Sequence, residues 1–205
     1  MKIDHIYLDL DGVLADFMSA AIRVHGKDPE AMYRDWQLAG KYELDKVLGL
    51  TPDQFWERID GFNAGTPYDA APAPKYAPGA DFWISLERYP WAEALWTWCN
   101  ARASTYVMTS PSRHPGSSFG KVRWLQNWLG PTFRNYILAP KKGHFGQPGS
   151  LLIDDNEGSV LAWQNRGGEA ILFPRLWNEA HHFHTKAFEV VNALLTEYEY
   201  AGVSK

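Results

Sequence analysis

Acidic side chains follow two apolar segments of the sequence, and their types suit metal-assisted chemistry. Asp9 and Asp11 come directly after "IYL", and Asp154 and Asp155 follow "LLI". Burying carboxylates side by side is unfavourable unless a cation or protons compensate them. Oxygen ligands of this kind suit Mg²⁺, which keeps positions for waters and for a substrate phosphate. If the two segments are neighbouring strands, the four acids predict a Mg²⁺ site.

Polar and basic residues stand at other points where a phosphate group could be held. Thr109 and Ser110 follow "YVM", and Arg113 lies just beyond them in "TSPSR". Lys141 and Lys142 precede the second acidic pair. Each of these features alone has an ordinary explanation as a turn former, a helix cap or a solvated side chain. Their joint occurrence after successive apolar runs favours a site.

The elements that must position these residues alternate along the second half of the chain. Apolar runs typical of buried parallel strands occur at "STYVMTS", "NYIL", "SLLIDD" and "EAILF". Helical spacing marks "PWAEALWTWCNAR", "FGKVRWLQNWLG", "GSVLAWQNRGG" and the last segment, "KAFEVVNALLTEYEY". This alternation predicts an α/β fold built on a doubly wound, Rossmann-like parallel sheet. Ligands of such sheets bind at the carboxyl ends of the strands.

The first strand is followed by a helical insertion. Helical spacing in "ADFMSAAIRVHG" predicts a helix ending near Gly26, and short helices follow as far as about residue 68. In "TPDQFWERIDG", Thr51 is a predicted N-cap, and Gln54 completes a capping box. The segment "DAAPAPKYAPG" indicates a connector. We therefore predict a core of residues 1–16 and 80–205 and a small helical cap of residues 17–79.

In its ordered motifs the chain resembles the haloacid dehalogenase-like phosphohydrolases. The motifs "DLDG", "VMTS", "KK" and "LLIDD" occur in the order typical of that superfamily. Within the superfamily, "DLDGVLADF", "TSPSR", "LLIDD" and the small helical cap most resemble the 5'(3')-deoxyribonucleotidases. The resemblance covers most of residues 3–156.

The resemblance implies roles for the acidic residues. Asp9 would be the nucleophile that forms an aspartyl-phosphate, and Asp11 would act as general acid and then as general base. Mg²⁺ would be held by Asp9, by the backbone carbonyl of Asp11 and by the pair Asp154 and Asp155. Of that pair, Asp155 is expected to bind directly and Asp154 through water or by orienting it.

The resemblance also implies substrate contacts. Thr109 would donate a hydrogen bond to phosphate oxygens, helped by backbone N–H groups near Gly12 and Ser110. Lys142 would balance the phosphate charge, a choice over Lys141 that rests on its spacing to "IDD". Arg113 would be a second phosphate or sugar contact. Phe17 would stack on a nucleobase, whereas most other aromatic residues of the cap are expected to pack.

Composition bounds the classes of function. The net charge of −4 provides no broad basic face, which argues against binding of long nucleic acid. Cys99 is the one cysteine, so no internal disulfide can form. The N-terminus lacks a signal-peptide pattern, and no apolar run is long enough to span a membrane, so a soluble, cytoplasmic protein is expected. The sequence leaves open whether the chain forms a homodimer.

Three functions stay open at this stage. The first is a Mg²⁺-dependent nucleotidase that acts on small (deoxy)nucleoside monophosphates. The second is a phosphatase of the same superfamily acting on another small phosphomonoester, because the cap sets the substrate. The third is a non-catalytic phospho-acceptor domain, which also gathers acids, Thr and Lys at strand ends. A phospho-acceptor carries its acidic pair on strand one and its acceptor Asp on strand three, an order that disfavours it here.

Overall fold

The computed structural model describes residues 2–36, 39–60 and 79–202. Its centre is a parallel sheet of five strands, β2 (His5–Leu8), β3 (Ser104–Thr109), β4 (Tyr136–Leu138), β5 (Ser150–Asp154) and β6 (Glu169–Leu172). Two short strands, β1 (Lys2–Ile3) and β7 (Glu199–Tyr200), form a separate parallel pair. The predicted α/β class and the parallel sheet are therefore confirmed.

Strand order places the two acidic segments side by side. The sheet runs β4-β3-β2-β5-β6, and Leu8 pairs with Ile153 of β5 and with Val107 of β3. If the five strands of this sheet are numbered one to five along the chain, their order across the sheet is 3-2-1-4-5, the doubly wound pattern. The direction in which strands are added reverses between β2 and β5. A flavodoxin-like receiver has the order 2-1-3-4-5, so the topology disfavours a phospho-acceptor of that type. The crevice at the reversal is where doubly wound folds bind ligands.

Apolar residues of the central strands are buried on both faces of the sheet. Ile6 and Leu8 belong to the larger hydrophobic cluster, whereas Tyr7 belongs to a second cluster with Leu152 and Trp163. Side chains alternate between the faces of a strand, so each face has its own core. Helices flank the sheet, as expected for nearly continuous apolar strands.

Nine helices are present in the described ranges: α1 (Phe17–Val24), α2 (Pro29–Arg34), α3 (Leu44–Val47), α4 (Pro52–Asp60), α5 (Ala80–Ile84), α6 (Ala92–Asn100), α7 (Pro115–Leu129), α8 (Glu157–Gln164) and α9 (Ala187–Leu195). Short 3₁₀ helices occupy Lys142–Phe145 and His181–Lys186. Among the described residues, no helix combines the length and the apolar character needed to cross a membrane.

The predicted helical insertion follows β2. The capping box of α4 is formed, since Gln54 N donates to Thr51 Oγ1 at 3.2 Å and Thr51 N donates to Gln54 Oε1 at 2.9 Å. Helices α1 to α4 fall within the predicted cap. The predicted connector lies almost wholly outside the described residues, and the boundaries of core and cap stay predictions.

Two helix ends differ from the sequence prediction. Helix α7 begins at Pro115, four residues before the predicted "FGKVRWLQNWLG", because His114 Nδ1 caps it by accepting from Gly116 N at 3.0 Å. The last helix was predicted to reach Tyr200, but α9 ends at Leu195. Beyond it, Glu199 and Tyr200 are strand β7, which pairs with the N-terminal residues.

Candidate active site

The turn after β2, residues 9–16, is called the acidic loop below. Leu14 N and Ala15 N both donate to Leu10 O at 2.8 Å, which closes the loop tightly. Gly12 has φ +76, and a Cβ at this position would lie 2.1 Å from Asp155 Oδ2. A glycine is therefore required on two counts, the backbone conformation and the close approach of the loop to the end of β5.

Three carboxylates meet in the crevice between β2 and β5. Asp9, Asp154 and Asp155 are all buried, and each offers an oxygen that lies within 4.8 Å of those of the other two. Lys142 joins this acidic cluster, because its Nζ lies 2.6 Å from Asp9 Oδ1 and 2.8 Å from Asp154 Oδ2. The predicted convergence of the two acidic segments is present, and Lys142 rather than the exposed Lys141 faces it.

Burial raises the pKa values of two carboxyl groups in the cluster. It raises the pKa of Asp9 well above the usual range; Lys142 opposes this, and the negative charges of Asp154 and Asp155 add to it. Burial likewise raises the pKa of Asp155 to about 7, with the charge of Asp154 adding to it. Burial alone would lower the pKa of Lys142, but Asp154 and Asp9 outweigh it and raise that pKa. The carboxylates of the cluster therefore need protons, or a cation in addition to Lys142, to compensate their charge.

The pattern of hydrogen bonds leaves specific oxygens for a cation. Both oxygens of Asp154 are engaged, Oδ2 by Lys142 and Oδ1 by Asn156 N at 2.9 Å. Asp9 Oδ1 accepts from Leu10 N at 2.6 Å, and Asp155 Oδ2 accepts from Trp177 Nε1 at 2.7 Å. Among the described residues, no donor reaches Asp9 Oδ2 or Asp155 Oδ1. This set of oxygens fits Mg²⁺ and supports Asp155 as the direct ligand.

Asp11 lies apart from the cluster and pairs with a lysine that the sequence motifs did not indicate. The Lys121 ammonium donates to Asp11 Oδ2, to Thr109 Oγ1 at 2.9 Å and to Ser110 O at 2.7 Å. The Lys121 side chain is fully buried, and its Nζ lies 4.6 Å from the centre of the Trp83 ring. Lys121 thus links the acidic loop to the end of β3.

The structure shows the surroundings of three groups that were expected to help bind phosphate. The Ser110 hydroxyl donates to Ala139 O at 2.9 Å, and Arg113 is exposed. The N–H of Gly12 donates to Ala15 O at 2.9 Å inside the acidic loop, and the help expected from backbone N–H groups near Gly12 stays a prediction. The contacts expected of Ser110 and Arg113 stay predictions.

The segment after β6, residues 173–178, braces the site and had no recognised motif. Trp177 donates to Asp155 as described above, and Asn178 Nδ2 donates to Asp155 O at 2.9 Å. Arg175 Nε donates to Gly12 O at 2.5 Å. One segment therefore holds both the proposed metal carboxylate and the acidic loop. Its position beside the site depends on the order of β5 and β6, which the sequence does not reveal.

Phe17 lies in an aromatic cluster at the start of α1. Its ring stacks on Trp83 at 5.4 Å and on Trp56 at 6.2 Å between ring centres, and Phe82 meets it edge-on at 5.9 Å. Phe17 is 5% exposed, whereas Trp56 is 39% exposed. Packing is the role that the structure supports directly for Phe17. Its stacking on a base stays a prediction.

Tyr42 brings the insertion close to the acidic groups. Although Tyr42 is 51% exposed as a residue, desolvation of its hydroxyl raises the pKa of Tyr42 well above the usual range, and the negative charges of Asp155 and Asp11 add to the effect. The nearby Gly40 N donates to Leu176 O at 2.8 Å, which ties this part of the insertion to the segment after β6.

Among the comparisons with known proteins, the comparison with solved structures supports the fold. No family model and no curated protein matches the sequence. A haloacid dehalogenase-like family hydrolase from Streptococcus pneumoniae has a similar structure, with 16% identity and a TM-score of 0.56 over 94% of this chain and 98% of that one. A hydrolase from Streptococcus pneumoniae TIGR4 has 12% identity and a TM-score of 0.53 over 94% of this chain and 100% of that one. The chain therefore shares the fold of these two proteins.

Proposed function

We propose that this protein is a Mg²⁺-dependent phosphomonoesterase acting on (deoxy)nucleoside monophosphates. The observation that carries the proposal is the cluster of Asp9, Asp154 and Asp155 with Lys142 at the reversal of strand order. Two proteins that share the fold are described as hydrolases, which supports the reaction class. The ordered motifs resemble those of phosphohydrolases and specify the same chemistry.

The buried carboxylates would hold the cation. Asp9 and Asp155 each have an oxygen with no donor among the described residues, and Lys142 and Asn156 hold Asp154 in place. Bound there, Mg²⁺ supplies positive charge that lowers the repulsion between a carboxylate and a phosphate dianion. The backbone carbonyl of Asp11 is a further proposed ligand.

The first step would transfer the phosphoryl group to the protein. An Asp9 oxygen attacks phosphorus, and the bond from phosphorus to the ester oxygen breaks. Asp11 donates its proton to the leaving oxygen, so the nucleoside departs as a neutral alcohol. Lys121 holds the Asp11 side chain in the loop and becomes its counterion once Asp11 is ionised.

The second step would release phosphate. Asp11, now ionised, takes a proton from water, and the resulting nucleophile attacks phosphorus and displaces the Asp9 carboxylate. The same acid thus serves both steps, and Asp9 returns to its starting state. Thr109 and the ammonium groups of Lys121 and Lys142 stand at the strand ends where the phosphate oxygens would lie. Their charge and donors would orient the phosphoryl group.

The aromatic cluster supports a nucleotide as substrate. Phe17 begins α1, the helix that leaves the acidic loop, and the partly exposed Trp56 stacks against it. An exposed indole beside a phosphate site offers a surface on which a base can stack. The second candidate is another small phosphomonoester, since the acidic cluster fixes the chemistry without fixing the leaving group.

A phosphate-release assay tests both levels of the proposal. The panel should contain 5' and 3' deoxynucleoside and ribonucleoside monophosphates, several sugar phosphates and an aryl phosphate, each with Mg²⁺ and with EDTA. Asp9→Asn should lower turnover more than about a thousandfold, as expected for a lost nucleophile. The exposed Asp4→Asn serves as a matched control and should keep full activity.

The panel separates the two candidates. Preference for nucleotides over every other ester supports the nucleotidase, whereas comparable rates on sugar phosphates support the broader phosphatase. Full turnover by Asp9→Asn, or by wild-type enzyme in EDTA, would refute the reaction itself.

A further inference from the structure

A cavity of about 300 Å³ lies beside the acidic loop, and the proposed reaction does not use it. Its walls come from the end of the acidic loop, from α1 and α2, from the segment after β6 and from Tyr89 and His184. None of Asp9, Asp154, Asp155 and Lys142 lines it. Since liquid water occupies about 30 Å³ per molecule, the space would hold a ligand of several heavy atoms.

The buried cation at this cavity is Arg175, which is 7% exposed. Its Nε–H has a partner, the carbonyl of Gly12. Its Nη2 is buried and has no hydrogen-bond partner among the described residues, and within the same ranges no carboxylate forms an ion pair with it. A buried cation with an unfilled donor is unfavourable unless something else compensates it.

Aromatic rings supply part of that compensation. The guanidinium carbon lies 3.8 Å from the centre of the Tyr89 ring and 4.9 Å from that of Trp91. Stacking of this kind uses the faces of the guanidinium, whereas its N–H groups lie in the plane and need acceptors there. A planar, two-oxygen anion is the acceptor that a guanidinium fork matches.

The remaining walls suit an organic acid. Arg34 adds a second positive charge, His184 a titratable ring, and Asp16 is the carboxylate among the lining side chains. Asp16 Oδ1 is occupied by the Tyr89 hydroxyl at 2.9 Å and by Ser19 N at 3.0 Å. Leu176 contributes an apolar surface for a carbon skeleton. Bare phosphate would fill little of this space and would leave the apolar wall uncovered.

We propose that this cavity is a second binding site, for a small organic carboxylate held by Arg175 and Arg34. It adjoins the acidic loop, because Asp16 lines it and the Arg175 guanidinium holds Gly12 O. The proposal stands independently of the phosphatase assignment, since it rests on residues outside the acidic cluster.

Titration calorimetry with malonate on the metal-free protein of 205 residues tests the site. Wild-type protein should bind one malonate per chain. Arg175→Lys should weaken binding about tenfold or more, because the charge stays but the fork is lost. Arg34→Gln should weaken it about threefold or more, and Tyr33→Phe gives a further lining variant that leaves Arg175 intact. Arg123→Gln, an exposed arginine on α7 outside the cavity, is the matched control and should bind like wild type.

Circular dichroism of each variant confirms that it is folded before its affinity is compared. Absence of binding to folded wild-type protein at tens of millimolar malonate would overturn the proposal. Equal affinity in wild type and in folded Arg34→Gln and Tyr33→Phe would overturn it too, since malonate would then sit elsewhere. The measurement requires no turnover, so a failure of the phosphatase assignment leaves its result unchanged.

Discussion

Asp11 differs from the other acids because its side chain is held by Lys121 and not by the acidic cluster. Asp11→Asn should therefore keep Mg²⁺ affinity, measured by calorimetry, close to the wild-type value. Turnover should fall about 10²- to 10⁴-fold, the usual contribution of a general acid and base. Asp155→Asn is the contrasting variant and should lose Mg²⁺ binding. A loss of metal affinity in Asp11→Asn would instead make its carboxylate a ligand.

The aromatic cluster allows base stacking and packing to be separated at two residues. Phe17→Ala removes a buried ring and should lower both the melting temperature and activity on every substrate. Trp56→Ala removes a partly exposed ring and should cost less stability. If the cluster binds a base, Trp56→Ala should lower kcat/KM for a deoxynucleoside monophosphate about 5- to 150-fold, the range for one lost stacking contact.

Activity on a substrate without a base is the control for that experiment. A sugar phosphate has no ring system to stack, so Trp56→Ala should change its kcat/KM little. Equal losses on nucleotide and sugar phosphate would leave the phosphatase assignment standing without the nucleotide preference.

The order of the motifs predicts some residues of the candidate site and misses others. Asp9, Asp154 and Asp155 could be predicted to converge because they lie at the carboxyl ends of β2 and β5, and Lys142 because it precedes the second acidic segment in the order of the motifs. Lys121 could not, since it lies in the middle of a helix. A signal existed nonetheless: Lys121 falls on the buried face of α7 together with Gly120 and Trp124, where a lysine without a partner would be unfavourable.

Among the local elements, the acidic loop depends most on one conformation. Gly12→Ala places a Cβ where Asp155 Oδ2 lies and forces a positive φ on alanine. We expect it to lose Mg²⁺ affinity and activity and to lower the free energy of unfolding. Gly26→Ala is the matched control, because Gly26 has φ +74 and a Cβ added there would have no atom within 4 Å.

The control isolates backbone strain from the clash. Gly26→Ala should lower the free energy of unfolding by about 1–2 kcal/mol, the cost of a left-handed alanine, with activity retained. Gly12→Ala should exceed that loss in a urea titration and should also reduce turnover. Equal effects of the two variants would mean that the contact with Asp155 does not matter.

The sequence predicts the end of a helix well where neighbouring residues cap it. It predicts the end less well where the next residues pair with a strand that is distant in the sequence. Thr51 and Gln54 are three residues apart, so the start of α4 could be predicted from the sequence alone. The end of α9 could not, because Glu199 and Tyr200 pair with Lys2 and Ile3 at the other end of the chain. Apolar spacing continues through Tyr198, and nothing local distinguishes the strand from another helical turn.

At the scale of the whole molecule, strand order determines what the site contains. The alternation of strands and helices predicts a doubly wound sheet. It does not specify that β5 pairs with β2 on the side opposite β3. The bracing by Trp177 and Arg175 also follows from that order, because β6 must flank β5 to bring residues 173–178 over the acidic loop. Sequence motifs therefore predicted which acidic groups meet, whereas the side chains that hold them in place depend on the topology.

The charge of the cluster predicts how the stability of the whole protein depends on pH and metal. The pKa of Asp155 is raised to about 7 and that of Asp9 is raised as well, so the folded state binds these protons more tightly than the unfolded state. Stability from this source is complete below the unfolded pKa of about 4 and is lost as the pH rises to about 7. In EDTA, wild-type protein should lose stability relative to Asp155→Asn as the pH rises from 5 to about 7.

Addition of Mg²⁺ should reverse that loss, because the cation binds the ionised carboxylates. At a concentration about 100 times its Kd, Mg²⁺ should add about 2.7 kcal/mol to the free energy of unfolding, and the gain should shrink towards pH 5 as protons compete. Urea titrations of wild type and Asp155→Asn at pH 5, 6, 7 and 8, each with EDTA and with Mg²⁺, measure both effects. Taking the difference between the two proteins removes the contribution of His25, whose pKa is lowered by burial. A difference in EDTA that does not change with pH would contradict the raised pKa of Asp155, and a Mg²⁺ gain retained in Asp155→Asn would contradict its role as ligand.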